Sequence, residues 1–163
     1  MAKVIHNDLT VANVSSWSYW TAMDIPHWNH KNRFLLICLE PQGVEWGDIT
    51  KEGSYRATPT LWVLGNYSRF VRPGYQRIAC TLNESRSFFG NAWRSADGKE
   101  IIAVYANLSD KAVRLGETRE GWQPTAITTY TTSAGKQLQA ASVAVDAQVT
   151  LDAQSVTTVV YKL

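Results

Sequence analysis

The stretch that decides the fold is TPTLWVLGNYSRFVRPGYQRI, residues 58–78. Thr58 is a good helix N-cap, and Pro59 stands at the first helical position, where its missing N–H costs nothing. Leu61, Leu64 and Val71, with Val63, Tyr67 and Phe70, supply a broad apolar face over 59–71. Arg69 and Arg72 complement the negative end of the helix dipole, and Pro73-Gly74 stops the helix. Beyond Gly74 the period changes from helical to two, so the stretch is the hinge between two kinds of organisation.

Upstream, residues 2–13 read as a short helix in which Ile5, Leu9 and Ala12 share a face, with Asn13 as C-terminal cap. SSWSYWTA (15–22) is aromatic and β-favouring, a strand expectation in which Trp17 and Tyr19 share one face and Trp20 lies on the other. A polar loop, DIPHWNHKN, leads to FLLICLE (34–40), an unbroken apolar run suited to a strand buried on both faces. The segment 41–57 reads as loop.

Downstream, strands are expected at 75–82, 87–94, 100–108, 112–118, 124–132, 142–151 and 155–162, separated by turn signals at Ala96-Asp97-Gly98, Ser109-Asp110 and Ala134-Gly135. Seven short strands rich in Val, Ile and Thr predict an antiparallel sandwich. Two units follow, 1–74 and 75–163, with no flexible linker between them, so rigid packing of one on the other is expected.

Composition narrows the function. The 163 residues carry sixteen Lys and Arg against fourteen Asp and Glu, a net +2 that argues against a nucleic-acid or membrane-surface binder. No apolar run approaches the roughly 18 residues needed to span a bilayer, and the opening MAKVIHNDLTVAN lacks a charged-then-apolar leader pattern. Cys38 and Cys80 cannot build a disulfide framework and read as buried thiols. His27 and His30 stand three apart in a polar loop without a Cys or acidic partner at diagnostic distance, so neither metal nor cofactor is expected. The loop acids Asp24, Glu40, Glu45 and Asp48 read as solvated rather than as a catalytic pair. What stands out is seven Trp and seven Tyr, residues used both in cores and as sugar-facing platforms.

The run Leu64-Gly65-Asn66-Tyr67-Ser68-Arg69-Phe70-Val71-Arg72-Pro73-Gly74 closely resembles the last barrel helix, and its exit into the side domain, of glycoside hydrolase family 30. IHNDLTVANVSSWSYWTAMD resembles that family's seventh helix leading into its eighth barrel strand, and SVTTVVYKL its terminal sandwich strand. Within the family the resemblance points to the endo-β-1,6-galactanase subgroup. It implies an α+β chain: over 1–74 the last quarter of a (β/α)8 barrel, with two helices, the eighth strand and long loops, and over 75–163 an antiparallel β-sandwich. A whole barrel of this kind takes about 250 residues, more than the chain has.

Family members are retaining glycosidases, which need two carboxyl groups roughly 5–5.5 Å apart. The resemblance puts both glutamates upstream of Met1, so no catalytic residue is expected here and the chain alone should be inactive. What it should supply is an aromatic wall for a β-linked, galactan-like polysaccharide. Trp20 falls where the family has a Trp against the sugar nearest the catalytic centre. Trp17 and Tyr19 on the same segment, and Trp28 and Trp46 in the loops that follow strands, are further substrate-facing candidates. Another reading makes the sandwich a carbohydrate-binding module without catalysis, using Phe88, Phe89, Trp93, Tyr105, Trp122 and Tyr130. Finally, helices 2–13 and 59–71 and the FLLICLE strand should expose apolar faces, predicting self-association or a partner chain carrying the missing barrel strands.

Overall fold

The computed structural model describes residues 1–25, 35–42, 52–117, 119 and 121–163. Element by element the chain runs α1 (Ala2–Thr10), β1 (Met23–Asp24), β2 (Ile37–Pro41), β3 (Gly53–Ala57) and α2 (Pro59–Ser68). The remainder is strand: β4 (Gln76–Ile78), β5 (Phe88–Arg94), β6 (Glu100–Asn107), β7 (Val113–Arg114), β8 (Ala126–Ser133), β9 (Lys136–Val143), β10 (Thr150–Leu151) and β11 (Ser155–Lys162).

Six of these strands form one antiparallel sheet in the order β4-β5-β6-β11-β8-β9. Its centre, β6 and β11, is covered on both faces, and the alternation of side chains decides what each face meets. Ile101, Ala103 and Tyr105 of β6 join Val159 and Tyr161 of β11 in a core closed by Leu115, Val149 and Leu151, around the small β7–β10 ribbon. Ile102, Val104 and Ala106, one residue out of step, join Phe89, Trp93 and Val156 in a second core closed by the helices. That core takes in Ala2 and Ile5 of α1 and Tyr67 of α2, with Leu9, Val63, Leu64 and Phe70 packed against it. The sandwich is thus a six-stranded sheet with a two-stranded ribbon on one side and two helices on the other.

This arrangement corrects the expectation that both helices present unpartnered apolar faces. Their apolar stripes lie on the sheet, which is the face that the β5–β6–β11 alternation leaves open for them. Apolar side chains left more than half exposed are Val4 on the outer side of α1, Val11 at its end, Trp20, Met23 and Tyr55.

A polar clamp fixes α2 to the sheet. Asn66 is fully buried; its amide nitrogen donates to Thr132 Oγ1 at 2.8 Å and to the Trp62 carbonyl at 2.9 Å. Its amide oxygen accepts from the Thr158 backbone N–H at 3.1 Å, and the Thr158 hydroxyl donates to the Asn66 carbonyl at 2.6 Å. One side chain therefore spans helix, β8 and β11, and an apolar residue there would take the Asn66 oxygen from the buried Thr158 N–H and remove a bond from Thr132. Thr58 caps α2 as expected, accepting from Thr60 N–H at 3.2 Å while its hydroxyl donates to the Leu35 carbonyl at 2.5 Å.

Close packing explains two glycines. A Cβ on Gly90 would lie 2.6 Å from the Tyr105 ring opposite it on β6 and 3.0 Å from the Val104 carbonyl oxygen. A Cβ on Gly65 would lie 2.7 Å from a methyl of Leu138, which crosses α2 at this point.

Several expectations need correction. Residues 15–22 are not assigned as strand: the Ala22 carbonyl accepts from Leu36 and Ile37 N–H at 3.1 and 2.9 Å, and the ladder itself begins at Met23, parallel to Ile37. The loop expected over 41–57 instead holds β3, which pairs antiparallel with β2. FLLICLE enters its strand only at Ile37; Leu35, Leu36 and Cys38 are buried while Glu40 is exposed, so burial is one-sided at its end. The strand expected at 142–151 is really the end of β9, a turn, and the short β10, because Ala134-Gly135 makes a hairpin that draws 136–143 into the sheet. The helix α1 stops three residues before Asn13, which sits just beyond it in the left-handed region (φ 52°).

Candidate functional site

The aromatic segment 15–20 leaves α1 and turns back along it. Val14 N–H bonds to the Asp8 carbonyl at 3.1 Å, and the Trp17 indole N–H donates to the Asp8 carboxylate at 2.8 Å. Trp17 packs against the helix-side core and lies nearly parallel to the Tyr19 ring, with centroids 5.9 Å apart and planes 19° apart. Burial raises the Tyr19 phenol above its ordinary value. Trp17 and Tyr19 are half-buried while Ser16, Ser18 and Trp20 are exposed, so the alternation read from the sequence is kept although the strand ladder is not. Trp20 is 92% exposed, the most exposed large apolar side chain among the described residues, and the peptide bond that follows it is cis. A free indole face beside two anchored rings is a surface that can stack on the C–H-rich side of a sugar.

Of the five aromatic candidates, the structure brings Trp17 and Tyr19 together and leaves Trp20 open beside them. Trp28 and Trp46 lie outside the described residues, as do His27, His30, Glu45 and Asp48. Of the remaining loop acids, Glu40 sits in β2 and bonds Arg56 across the β2–β3 pair at 3.1 Å, and Asp24 accepts from Ile25 N–H at 2.8 Å. Each is taken up locally. Among the described residues no group of three His, Cys, Asp or Glu side chains is placed to hold a metal ion. No described helix is long and apolar enough to cross a membrane.

A group of ionisable side chains lies in the ribbon-side core. Glu117 accepts from both Nε and Nη2 of Arg119, at 3.0 and 2.8 Å, and from the Tyr161 hydroxyl. The Arg119 guanidinium lies over the Trp122 and Tyr161 rings at 5.8 and 5.3 Å. Burial pushes the Tyr105 and Tyr161 phenols far up, and burial with the nearby Glu84 and Glu117 charges raises the Cys80 thiol to about 11. No disulfide links Cys38 and Cys80. The six sandwich aromatics considered for a binding module sit in the two cores: Phe89 and Trp93 against the helices, Tyr105 with Phe88 and Trp122 beside the ribbon, and Tyr130 against Phe70 at 4.5 Å. They offer no exposed coplanar platform.

Two concavities lie apart from the aromatic segment. One, of about 270 Å³, is lined by Thr129, Thr131, Gln139 and Thr150 under the Lys136–Asp152 ion pair. The other, of about 940 Å³, runs between the start of both helices and the 132–137 and 152–156 turns. Neither was foreseen from sequence; alternate threonines in TAITTYTT (125–132) were the signal for the first. Asp8 was also missed. Its signal was a carboxylate in the last turn of a helix, where the dipole disfavours negative charge and another role is implied.

No protein-family model matches the chain. Among solved structures, a conserved exported protein from Bacteroides fragilis is 31% identical and superposes with a TM-score of 0.83 over 98% of this chain and 32% of its own. A family 30 endoxylanase from Clostridium papyrosolvens is 25% identical, with a TM-score of 0.60, covering 66% of this chain and 28% of its own. A family 30, subfamily 8 xylanase from Clostridium acetobutylicum is 21% identical, with a TM-score of 0.72, covering 99% of this chain and 38% of its own. The chain has a fold like that of glycoside hydrolase family 30 structures and spans about a third of the length of the proteins it matches.

Proposed function

We propose that the chain is the carboxyl-terminal part of a retaining glycoside hydrolase acting on a β-linked, galactan-like polysaccharide. In this reading residues 1–74 are the last quarter of a (β/α)8 barrel, contributing one wall of the sugar site, and 75–163 are the side sandwich that steadies it. The parallel β1–β2 pair, the motif at 64–74 and the likeness to the family 30 endoxylanase support it. The observation that carries it is the open indole of Trp20, held next to a stacked Trp17–Tyr19 pair. The one axial hydroxyl of β-galactose, at C4, leaves C3–H, C4–H and C5–H together on the opposite face, which suits an indole.

The acid and nucleophile of such an enzyme must be held roughly 5–5.5 Å apart. The local partners of Asp24 and Glu40 support a chain that binds and positions sugar without cleaving it alone. It completes a site with a chain carrying the remaining barrel strands, or associates with a second copy, through exposed apolar side chains such as Val11, Met23 and Tyr55. A monodisperse monomer at high concentration in light scattering would contradict that association.

Retention on immobilised β-1,6-galactan, set against xylan, tests the binding claim. The wild type should be held on galactan and release no reducing sugar, and Trp20→Ala should pass through. Equal retention of both proteins, or hydrolysis by the chain alone, would overturn the reading.

A further inference from the structure

We propose that Asp8 is a positioning residue that holds the 15–20 segment in place and thereby presents Trp20 to its ligand. This deepens the sugar-wall reading and rests on it for the identity of the ligand. Residues 15–20 are in no strand or helix. Asp8 grips the segment twice: its carbonyl takes the Val14 N–H at 3.1 Å and its carboxylate takes the Trp17 indole N–H at 2.8 Å. From there the order passes along the chain. Trp17 stacks on Tyr19, and Tyr19 is bonded directly to Trp20.

Asp8 is itself well anchored. It lies one turn beyond Ile5, which is 1% exposed, and His6, whose ring is 4.8 Å from that of Phe89 in β5. The path is therefore continuous from the sheet core through α1 to the exposed indole. A charged acceptor on an indole N–H is stronger than a neutral one, and the half-buried setting protects it from water. The position also opposes the helix dipole, so the carboxylate gains nothing from α1 itself. The stabilisation it provides is to the segment.

The test is amide hydrogen exchange on the whole chain, followed by galactan retention. Asp8→Ala should speed exchange across 14–20 by about tenfold, the equivalent of one hydrogen bond to a charged group. Exchange in β6 and β11 should stay as in the wild type. Asp8→Asn keeps an oxygen acceptor at the same place and should restore much of the protection. Trp17→Phe keeps a ring for the stack but lacks the donor, and should loosen the segment as Asp8→Ala does. In parallel, galactan affinity of Asp8→Ala should fall about tenfold without loss of the sheet's protection.

Unchanged exchange at 14–20 in both Asp8→Ala and Trp17→Phe would overturn the proposal. So would acceleration spread evenly over the sheet, which would make Asp8 a general support of the fold. If the segment loosens as expected but the wild type is not held by galactan, the clamp stands and the sugar-wall reading fails.

Discussion

The six-stranded sheet and the aromatic segment at 15–20 solve opposite problems. In the sheet, each residue of β6 from Ile101 to Asn107 is buried, its neighbours are fixed by strand pairing on both sides, and the helix above is bolted down by Asn66. In the segment, order comes from a few side chains, and the largest ring points into solvent. The first region is built to stay closed. The second keeps an apolar surface available, which is how a fold offers a site to a ligand. Substitutions should therefore divide cleanly: stability is lost in one region and binding in the other.

The largest loss should come from Asn66→Ala, which deprives the buried Thr158 N–H of the Asn66 oxygen and takes one bond from the Thr132 hydroxyl, which keeps the Trp62 carbonyl and the Leu138 N–H. With about 1–3 kcal/mol for the orphaned buried group and about 1 kcal/mol for the further lost bond, unfolding in urea should show about 3 kcal/mol less stability. Next comes Gly90→Ala, where the new methyl meets both the Tyr105 ring and backbone, and overpacking should cost about 2 kcal/mol in the same measurement. A result near zero for either would break the picture of a sheet locked on both faces.

The pH dependence is gentler and has a defined sign. Burial holds His6 below its ordinary pKa of 6.5, with Glu84 at 3.6 Å working against the shift and Lys3 adding to it. The unfolded chain therefore takes up a proton at a higher pH than the folded one. Stability should decline as pH falls through about 6.5, towards the lowered folded value, and recover above it. Melting temperature followed from pH 7.5 to 5 should show this slope, and His6→Gln should flatten it. At the bottom of the scale, Trp20→Ala should change stability by no more than about 0.5 kcal/mol, since that side chain is 92% exposed. A large destabilisation would make Trp20 part of the core and erase the contrast between the regions.

Legibility in the sequence followed the same division. Where local chemistry and tertiary pairing agree, the reading was close: Thr58-Pro59 opens α2, and 155–162 is β11 to the residue. Where pairing partners decide, it failed. SSWSYWTA has strand propensity and keeps strand alternation, yet the parallel ladder with β2 starts only after it, at Met23. GSYRA (53–57) has a glycine, an arginine and no apolar run, yet β2 recruits it into a sheet. The site was legible as residue types but not as geometry. Trp17, Tyr19 and Trp20 were visible, while Asp8, nine residues before Trp17, was not, because a helix followed by a reversal brings them together. The same limit applied to the helix faces. Their apolar stripes announced that something would cover them, and only the sheet's alternation showed that this chain does so itself.

The most direct test uses the seven tryptophans as reporters. Each indole N–H gives one signal in a proton–nitrogen correlation spectrum, and Trp20→Phe identifies the Trp20 signal by its disappearance. Titration with a β-1,6-galacto-oligosaccharide should move the Trp20 signal progressively, while that of Trp93, buried under the helices, stays fixed. A Trp20 signal unmoved at saturating oligosaccharide, or a shift confined to other indoles, would contradict the account.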